Sequence, residues 1–140
     1  MTDLLEKGRR GEPITEIEVI DIHGHLGRPD FGIPECSADS LVRVMDRLGV
    51  RTAVVSHIRC LSHRVRAGND YVLEAMRAFP GRLLGYAIVW PADAETVRTE
   101  VKRCLEAGFV GVKLHDANGF PYDDPAYDPA LRMADERRMP

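Results

Sequence analysis

The chain has 140 residues, of which 44% are hydrophobic and 29% are charged, and its formal net charge is -3. A chain of this length normally forms one domain, and its slightly acidic balance, with Lys and Arg scattered along it, argues against a nucleic-acid partner. No apolar run is long enough to cross a bilayer, and the first residues lack the basic and apolar regions of a secretory signal. We therefore expect a cytoplasmic globular protein.

The cysteines agree with that expectation. Cys36, Cys60 and Cys104 are odd in number, lie far apart and form no Cys-x-x-Cys pair. Reduced thiols in a cytosolic protein are the simplest explanation, and we expect these side chains to serve in packing.

Four strand-helix units are predicted one after another. Strands are expected at residues 17–23, 52–56, 83–89 and 109–114, and each is followed by a helical pattern. Ser37 is expected to cap a first helix at about 38–48, which Gly49 ends. The later helices are expected to contain residues 72–79, 97–105 and 130–138.

The apolar faces of two helices can be read from their spacing. Leu41, Val44, Met45 and Leu48 are expected on one face of the first. Val97, Val101, Cys104 and Leu105 give the third helix the clearest period in the chain.

The strands are continuous apolar runs rather than alternating ones, which is typical of strands buried on both faces of a parallel sheet. Strands alternating with helices predict successive right-handed crossovers in an α/β fold. Four such units are half of an eight-stranded barrel, which usually needs about 250 residues. The chain ends at residues 137–140, where a fifth strand is expected to start, so we expect it to be truncated.

The first strand ends in His23-Gly24-His25. Residues two apart on a strand point the same way, so the two imidazoles are expected to converge. Functional side chains of parallel α/β folds gather at the C-terminal ends of strands. Because paired imidazoles suit zinc and similar divalent ions, we predict that His23 and His25 bind a metal.

Lys113 and His115 repeat this spacing at the end of the fourth strand, and both are candidate catalytic residues. A lysine within a buried-strand pattern is costly unless it has a partner. Lys113 could be carboxylated and bridge two metals, or stay cationic and bind a substrate carboxylate. A lysine that reaches solvent and a hydrogen-bonded structural histidine are the alternatives.

Three more residues are assigned to the surroundings of this site. Asp21 has the same parity as the histidines, so it could orient an imidazole from the second shell or be a buried structural carboxylate. His57 and Trp90 follow the second and third strands and are assigned to the substrate mouth. His57 is expected at the surface or in a substrate loop rather than as a ligand, and Trp90 is expected to pack at the mouth, with stacking on the substrate as the alternative. His63 is expected on the surface or in a substrate loop.

Several segments together resemble the amidohydrolase-related branch of the amidohydrolase superfamily, which includes the aminocarboxymuconate-semialdehyde decarboxylase-like enzymes. Residues 19–27, Val-Ile-Asp-Ile-His-Gly-His-Leu-Gly, are similar to the family's first-strand motif Asp-x-His-x-His. Residues 68–72, 79–83 and 90–91 are similar to its second-helix and third-strand region. Residues 108–115 are similar to its fourth strand.

The resemblance implies a metal-dependent TIM barrel, of which residues 17–140 supply about the first four units after a leader at 1–16. In this family zinc is held by two first-strand histidines, a fifth-strand histidine and an eighth-strand aspartate, and a sixth-strand histidine assists catalysis. Only His23 and His25 carry over, because the chain ends before the other strands. The implied cofactor is a divalent metal, most simply Zn²⁺. The implied partner is a small-molecule substrate, with a homo-oligomer left open.

The implied function is hydrolysis of a small organic substrate by water activated on a divalent metal, with Lys113 or His115 holding the substrate. A metal-dependent non-oxidative decarboxylase of the same family is the alternative. A deoxyribonuclease-like phosphoesterase is disfavoured, because such relatives tend to use a carboxylate where Lys113 stands. The remaining alternative is a catalytically incompetent fragment, since two imidazoles do not complete a tetrahedral site.

Overall fold

The computed structural model describes residues 3–28, 34–58, 64–91 and 93–140. Its helices and strands follow in the order α1 (Leu4–Arg10), β1 (Val19–Leu26), α2 (Ala38–Leu48), β2 (Val50–His57), α3 (Val65–Ala78), β3 (Leu83–Ile88), α4 (Ala94–Glu106), β4 (Gly111–Lys113) and α5 (Asp128–Glu136), with 3-10 helices at Asp116–Asn118 and Pro125–Tyr127. Within these ranges no helix has both the length and the hydrophobicity that a membrane crossing requires.

The four strands form one parallel sheet in the order β1-β2-β3-β4. A helix connects each strand to the next, which is the crossover arrangement expected of βα units. The predicted α/β class and the four predicted strands are therefore confirmed. The largest difference is β4, which pairs over three residues instead of six.

The hydrophobic core lies between the sheet and its helices. Ala53 and Val55 of β2 belong to this core, together with Val72 of α3 and Val101 of α4. Gly85 of β3 allows the close approach of α3, because an added Cβ there would lie 2.8 Å from a methyl carbon of Val72. Since side chains alternate along a strand, the residues between those core positions of β2 face the opposite side of the sheet.

The helix α2 has the predicted bounds. The hydroxyl of Ser37 accepts a hydrogen bond from the amide of Ser40, and Gly49 ends the helix with a φ of 79°, a conformation that glycine adopts without strain. The prediction of its apolar face is wrong at Val44, which is 43% exposed. The buried residues are Val42 and Met45, so the face is rotated by part of a turn.

The described cysteines differ in environment. Cys104 is fully buried in the core, as predicted, and burial raises the pKa of its thiol well above the usual range. Cys36 is half-buried. Cys60 and His63 lie outside the described residues.

The leader contains a helix that the sequence analysis did not predict. Asp3 caps α1 by accepting hydrogen bonds from the amides of Leu5 and Glu6, and α1 has no buried residue. The amide of Ile14 donates to the carbonyl of Leu48 over 3.0 Å, which holds the leader against the end of α2. The domain boundary at residue 16 stays a prediction.

The strand β1 lies at one edge of the sheet and is largely exposed. Ile20 and Ile22 are 53% and 67% exposed, an unusual state for large apolar side chains on an edge strand. At the other edge, the amide of Val112 donates to the carbonyl of Pro140 over 2.9 Å. The described sheet therefore has the two edges predicted for half of a barrel.

A buried polar network joins α3 to α4. Asn69, which is fully buried, donates to Glu100 over 3.0 Å. Glu100 accepts two hydrogen bonds from Arg103, at 2.6 and 2.9 Å, and Arg103 also pairs with Asp70 at 2.8 Å. Burial alone would raise the pKa of Glu100, but the hydrogen bonds from Arg103 and Asn69 outweigh it and hold that pKa below its ordinary value.

This network predicts a pH-dependent contribution to stability. Because the pKa of Glu100 is lower in the folded chain than its ordinary value of 4.5, its carboxylate stabilises the fold above that pH, and the contribution is lost as pH falls through the native pKa. Glu100→Gln should therefore lower the free energy of unfolding by about 1–2 kcal/mol at neutral pH, and the difference should shrink in acid. Urea unfolding between about pH 7 and pH 3 measures it.

The matched control is Glu95→Gln on the same helix, because Glu95 pairs with Arg98 but its side chain is 79% exposed. Exposed pairs contribute little to stability, so this variant should track wild type at every pH. An equal effect of the two substitutions would show that the buried network has no special role.

Candidate metal centre

A β-bulge interrupts β1 at Ile22 and His23, the first residue of the histidine pair. Asp21 is level with Ala53 on β2 and Gly24 is level with Val55, so two residues of β1 lie opposite the single residue Val54. Bulges re-aim side chains and are frequent beside functional sites. Because of the bulge, the side chain of Asp21 and those of the residues after the bulge no longer alternate in step between the two faces of the sheet.

The imidazoles of His23 and His25 lie together at the C-terminal end of β1. Their ring centroids are 5.1 Å apart, with the ring planes inclined by 67°. His25 is level with Ser56, on the side of β2 that faces away from the core. The structure thus brings the two rings together; their role as metal ligands remains a prediction.

The environment of His25 keeps its ring neutral. Burial lowers the pKa of His25 to about 4, and the positive charge of Lys113 acts in the same direction, as do His23 and His115. A neutral imidazole has a lone pair available for a metal. Nδ1 of His25 lies 3.3 Å from the hydroxyl oxygen of Ser56, which leaves Nε2 as the nitrogen available for a metal.

Lys113 joins the pair from the opposite edge of the sheet. Its ammonium nitrogen lies 2.7 Å from Nε2 of His23, so the ends of β1 and β4 meet although the residues are far apart in sequence. Burial lowers the pKa of Lys113. This contact gives the lysine a partner within the candidate site.

His115 lies beyond the end of β4 rather than within a strand. Its Nδ1 lies 3.1 Å from a carboxylate oxygen of Asp116, and its carbonyl accepts hydrogen bonds from the amide of Asn118 and the hydroxyl of Tyr127. It lies near enough for its charge to lower the pKa of His25. The structure therefore places His115 at the margin of the group formed by His23, His25 and Lys113.

Asp21 contacts the backbone of the pair. One of its carboxylate oxygens accepts a hydrogen bond from the amide of His23 over 2.9 Å. Asp21 is level with Ala53 and His25 with Ser56, and residues three apart on β2 point to opposite faces. The bulge thus removes the shared parity on which the prediction for Asp21 was based, and its role in orienting an imidazole stays a prediction.

The structure does not bring His57 and Trp90 into this group. The ring of His57 is only 9% exposed and packs edge-on against Tyr71 of α3, with centroids 4.9 Å apart. Trp90 packs against Val65 and Ile88, where it lines a cavity of about 430 Å³ between α3 and α4. Their assignment to a substrate mouth stays a prediction, and these positions lend it no support.

The donors present fit part of a metal site. Two imidazoles suit a divalent ion such as zinc. Among the described residues, however, no three His, Cys, Asp or Glu side chains form a group that could hold one. The pair therefore supplies two ligands, and the remaining ligands must come from elsewhere.

Ser56 is a site residue that the sequence analysis missed. It is 1% exposed, and its hydroxyl lies within hydrogen-bond distance of the ring of His25. The available signal was its position, because a hydroxyl that ends the apolar run Ala53-Val54-Val55 needs a hydrogen-bond partner.

Comparison with protein families decides the classification. A family model described as amidohydrolase matches residues 20–140 of the chain. The chain belongs to this amidohydrolase family. That match confirms the family predicted from the sequence, while the comparison with curated proteins returned no match.

Solved structures similar to this amidohydrolase chain include three enzymes. A 2,6-dihydroxybenzoate decarboxylase from Rhizobium is 20% identical, with a TM-score of 0.67, over 85% of this chain and 47% of the other. A 5-carboxyvanillate decarboxylase from Novosphingobium aromaticivorans, complexed with manganese and a nitrobenzoic acid, is 17% identical, with a TM-score of 0.68, over 92% and 51%. A 4-oxalomesaconate hydratase from Rhodopseudomonas palustris is 20% identical, with a TM-score of 0.63, over 87% and 50%.

These likenesses establish the fold. The chain spans about half the length of the solved relatives it matches, and the relatives are TIM barrels. The four strands described above are therefore part of a barrel of the amidohydrolase type, as predicted.

The contact between Ser56 and His25 generates a testable prediction. If the hydroxyl of Ser56 accepts a hydrogen bond from the Nδ1–H group of His25, Ser56→Ala should raise the fraction of His25 protonated on Nε2. Nitrogen-edited NMR of the imidazole measures the tautomer directly, and Ser56→Thr, which keeps a hydroxyl, should resemble wild type. An unchanged tautomer in Ser56→Ala would show that Ser56 does not orient the ring.

Proposed function

We propose that the chain contributes the first two metal ligands, His23 and His25, of a divalent-metal enzyme that acts on a small carboxylated organic molecule. The observation that carries this proposal is the convergence of both imidazoles and the Lys113 ammonium at one end of the sheet. Ligands in parallel α/β folds bind at that end.

In this proposal both histidines are metal ligands, but the side chains beside their rings differ. Nδ1 of His25 lies beside the hydroxyl of Ser56, so His25 would hold the metal through Nε2. Nε2 of His23 now contacts Lys113, so His23 would hold the metal through that atom only with Lys113 displaced. A divalent metal, when bound, supplies a Lewis acid that polarises a carbonyl and lowers the pKa of water toward ~7.

Lys113 selects the substrate in this proposal. Displaced from His23, its ammonium group lies beside the metal ligands and pairs with a carboxylate of the substrate. A bound carboxylate also compensates the positive charge of a half-buried lysine. The contact with His23 favours this role over carboxylation of Lys113, because a ring nitrogen at hydrogen-bond distance is suited to an ammonium donor.

Hydrolysis is the reaction that we place first, because it needs only a metal, a water and a held substrate. The water attacks the carbonyl carbon, the bond to the leaving group breaks, and the leaving group takes the proton. Lys113 holds the substrate, and His115 at the margin of the site is available to contact it.

Non-oxidative decarboxylation is the second candidate, and Lys113 favours it because its substrate must carry a carboxylate. The bond between the carboxylate and its carbon breaks, CO2 leaves, and a proton takes its place on that carbon. Of the three solved relatives named above, two are decarboxylases, and the structure of one of these contains manganese. Screening the complete protein against aromatic carboxylates, lactones and amides, for CO2 release and for hydrolysis, separates the two reactions.

The chain by itself is expected to show little or no turnover, with either reaction, since two imidazoles leave a metal without its full ligand set. Metal binding is therefore the direct test at the level of this chain. His23→Ala combined with His25→Ala should weaken binding of Mn²⁺ or Zn²⁺ at least tenfold in a calorimetric titration.

The matched control is His57→Gln, which removes another strand-end histidine that packs against α3. It should leave the metal affinity within about twofold of wild type. Equal metal affinity of wild type and the double variant would remove the histidine pair from the proposed site.

The role of Lys113 is tested with a carboxylated probe. Lys113→Met should weaken binding of 2,6-dihydroxybenzoate, the compound bound to one solved relative, by about tenfold in the presence of the metal. Lys102→Met on the outside of α4 removes an exposed lysine, whose side chain is 62% exposed, and should change nothing. Equal losses in both variants would show that only overall charge matters.

A further inference from the structure

The side chain of Asn69 makes a two-way hydrogen bond with the backbone of Ile88, where β3 ends. Its Oδ1 accepts from the amide of Ile88 over 3.1 Å, and its Nδ2 donates to the carbonyl of Ile88 over 3.3 Å. Asn69 is fully buried on α3. A carboxamide that satisfies both peptide groups of one residue does what a neighbouring strand does in a sheet.

The sheet has a gap at this point. The paired residues of β2 and β3 end at Val55 and Gly85, three residues before Ile88. The carbonyl of Gly85 and the amide of Val89 are bonded to the segment that forms β4. Since alternate residues of a strand bond to opposite neighbours, the peptide groups of Ile88 point toward β2, and Asn69 takes the place that β2 leaves.

The end of β3 is also the partner of Lys113. Ile88 is level with Lys113 on β4, and the amide of Val89 donates to the carbonyl of Lys113 over 3.3 Å. The side chain of Lys113 then reaches His23. A continuous series of contacts thus runs from Asn69, through the end of β3, to the candidate site.

The side chain of Asn69 is itself held in place by hydrogen bonds and ion pairs that involve α4. Its Nδ2 also donates to Glu100, which Arg103 holds in turn, and Arg103 pairs with Asp70, the residue next to Asn69. The carboxamide therefore cannot turn without breaking a buried network that spans α3 and α4. Such a network fixes an orientation better than a single hydrogen bond does.

We propose that Asn69 is a positioning residue for the candidate site: it fixes the end of β3 and, through the backbone of Lys113, sets where the lysine ammonium meets His23. Asn69 contacts neither the histidines nor a substrate. The inference concerns the geometry of His23 and Lys113, so it holds whether or not the proposed metal function is correct.

The test compares Asn69→Ala with Thr52→Val in the complete chain without metal. Thr52 also donates a buried side-chain hydrogen bond to backbone, to the carbonyl of Gly81 over 3.1 Å, but near the start of β2. Asn69→Ala should increase amide hydrogen exchange of Val89 at least tenfold and shift the Nε2 resonance of His23. Thr52→Val should do neither.

A second variant covers the case in which Asn69→Ala does not fold. Asn69→Ser keeps a polar side chain without placing a second carboxylate beside Glu100. Its single hydroxyl can bond at most one of the two peptide groups of Ile88, so its effects on Val89 and His23 should be intermediate. Either variant overturns the proposal if exchange at Ile88 increases while Val89 exchange and the His23 resonance stay as in wild type. Asn69 would then satisfy Ile88 and position nothing else.

A metal titration of the same variants separates this inference from the proposed function. If wild type binds no Mn²⁺ but Asn69→Ala shifts the His23 resonance, the metal site fails and the positioning role stands. If wild type binds Mn²⁺ and both Asn69 variants bind it equally, with an unmoved His23 resonance, the metal site stands and the positioning role fails.

Discussion

The contact between Lys113 and His23 is the interaction on which the interpretation of this chain depends. It joins the ends of β1 and β4, the two edges of the described sheet. Such a contact requires the parallel sheet to curve, as sheets do in barrels. The same curvature brings chemically capable side chains together from residues that are 90 apart in sequence. The partial barrel and the candidate site are therefore both consequences of the curvature of the sheet, and a flat sheet would have neither.

The general architecture could be predicted from the sequence because its causes are local. Continuous apolar runs define buried strands, and Ser37 and Gly49 mark the ends of α2 by a hydrogen bond and a backbone conformation that depend only on near neighbours. The face of α2 was partly misassigned because Val44 satisfies the helical period equally well. Which of several apolar residues faces the sheet is decided by tertiary packing, which the period of one helix does not contain.

The site was predictable only where alternation along a strand holds. The rings of His23, at the bulge, and His25, after it, lie together as parity predicts. Asp21 lies before the bulge, and an inserted residue in a strand leaves no clear mark in a sequence. The side chain of His57 also follows the alternation along β2. Which face of the sheet it lies on, however, depends on how β2 pairs with its neighbouring strands. Asn69 lies on the apolar face of α3 with Val65 and Val72. An amide on that face was a sign in the sequence of a buried hydrogen-bonding role, and the sequence analysis did not use it.

The central claim is that a metal is held by the two neighbouring rings of His23 and His25. Anomalous diffraction from crystals grown with Mn²⁺ or Zn²⁺ tests it most directly. We expect one strong peak about 2.0–2.3 Å from a ring nitrogen of His23 and of His25, with Lys113 moved away from His23. A peak bound elsewhere, or an unchanged contact between Lys113 and His23 with no metal beside the pair, would contradict it.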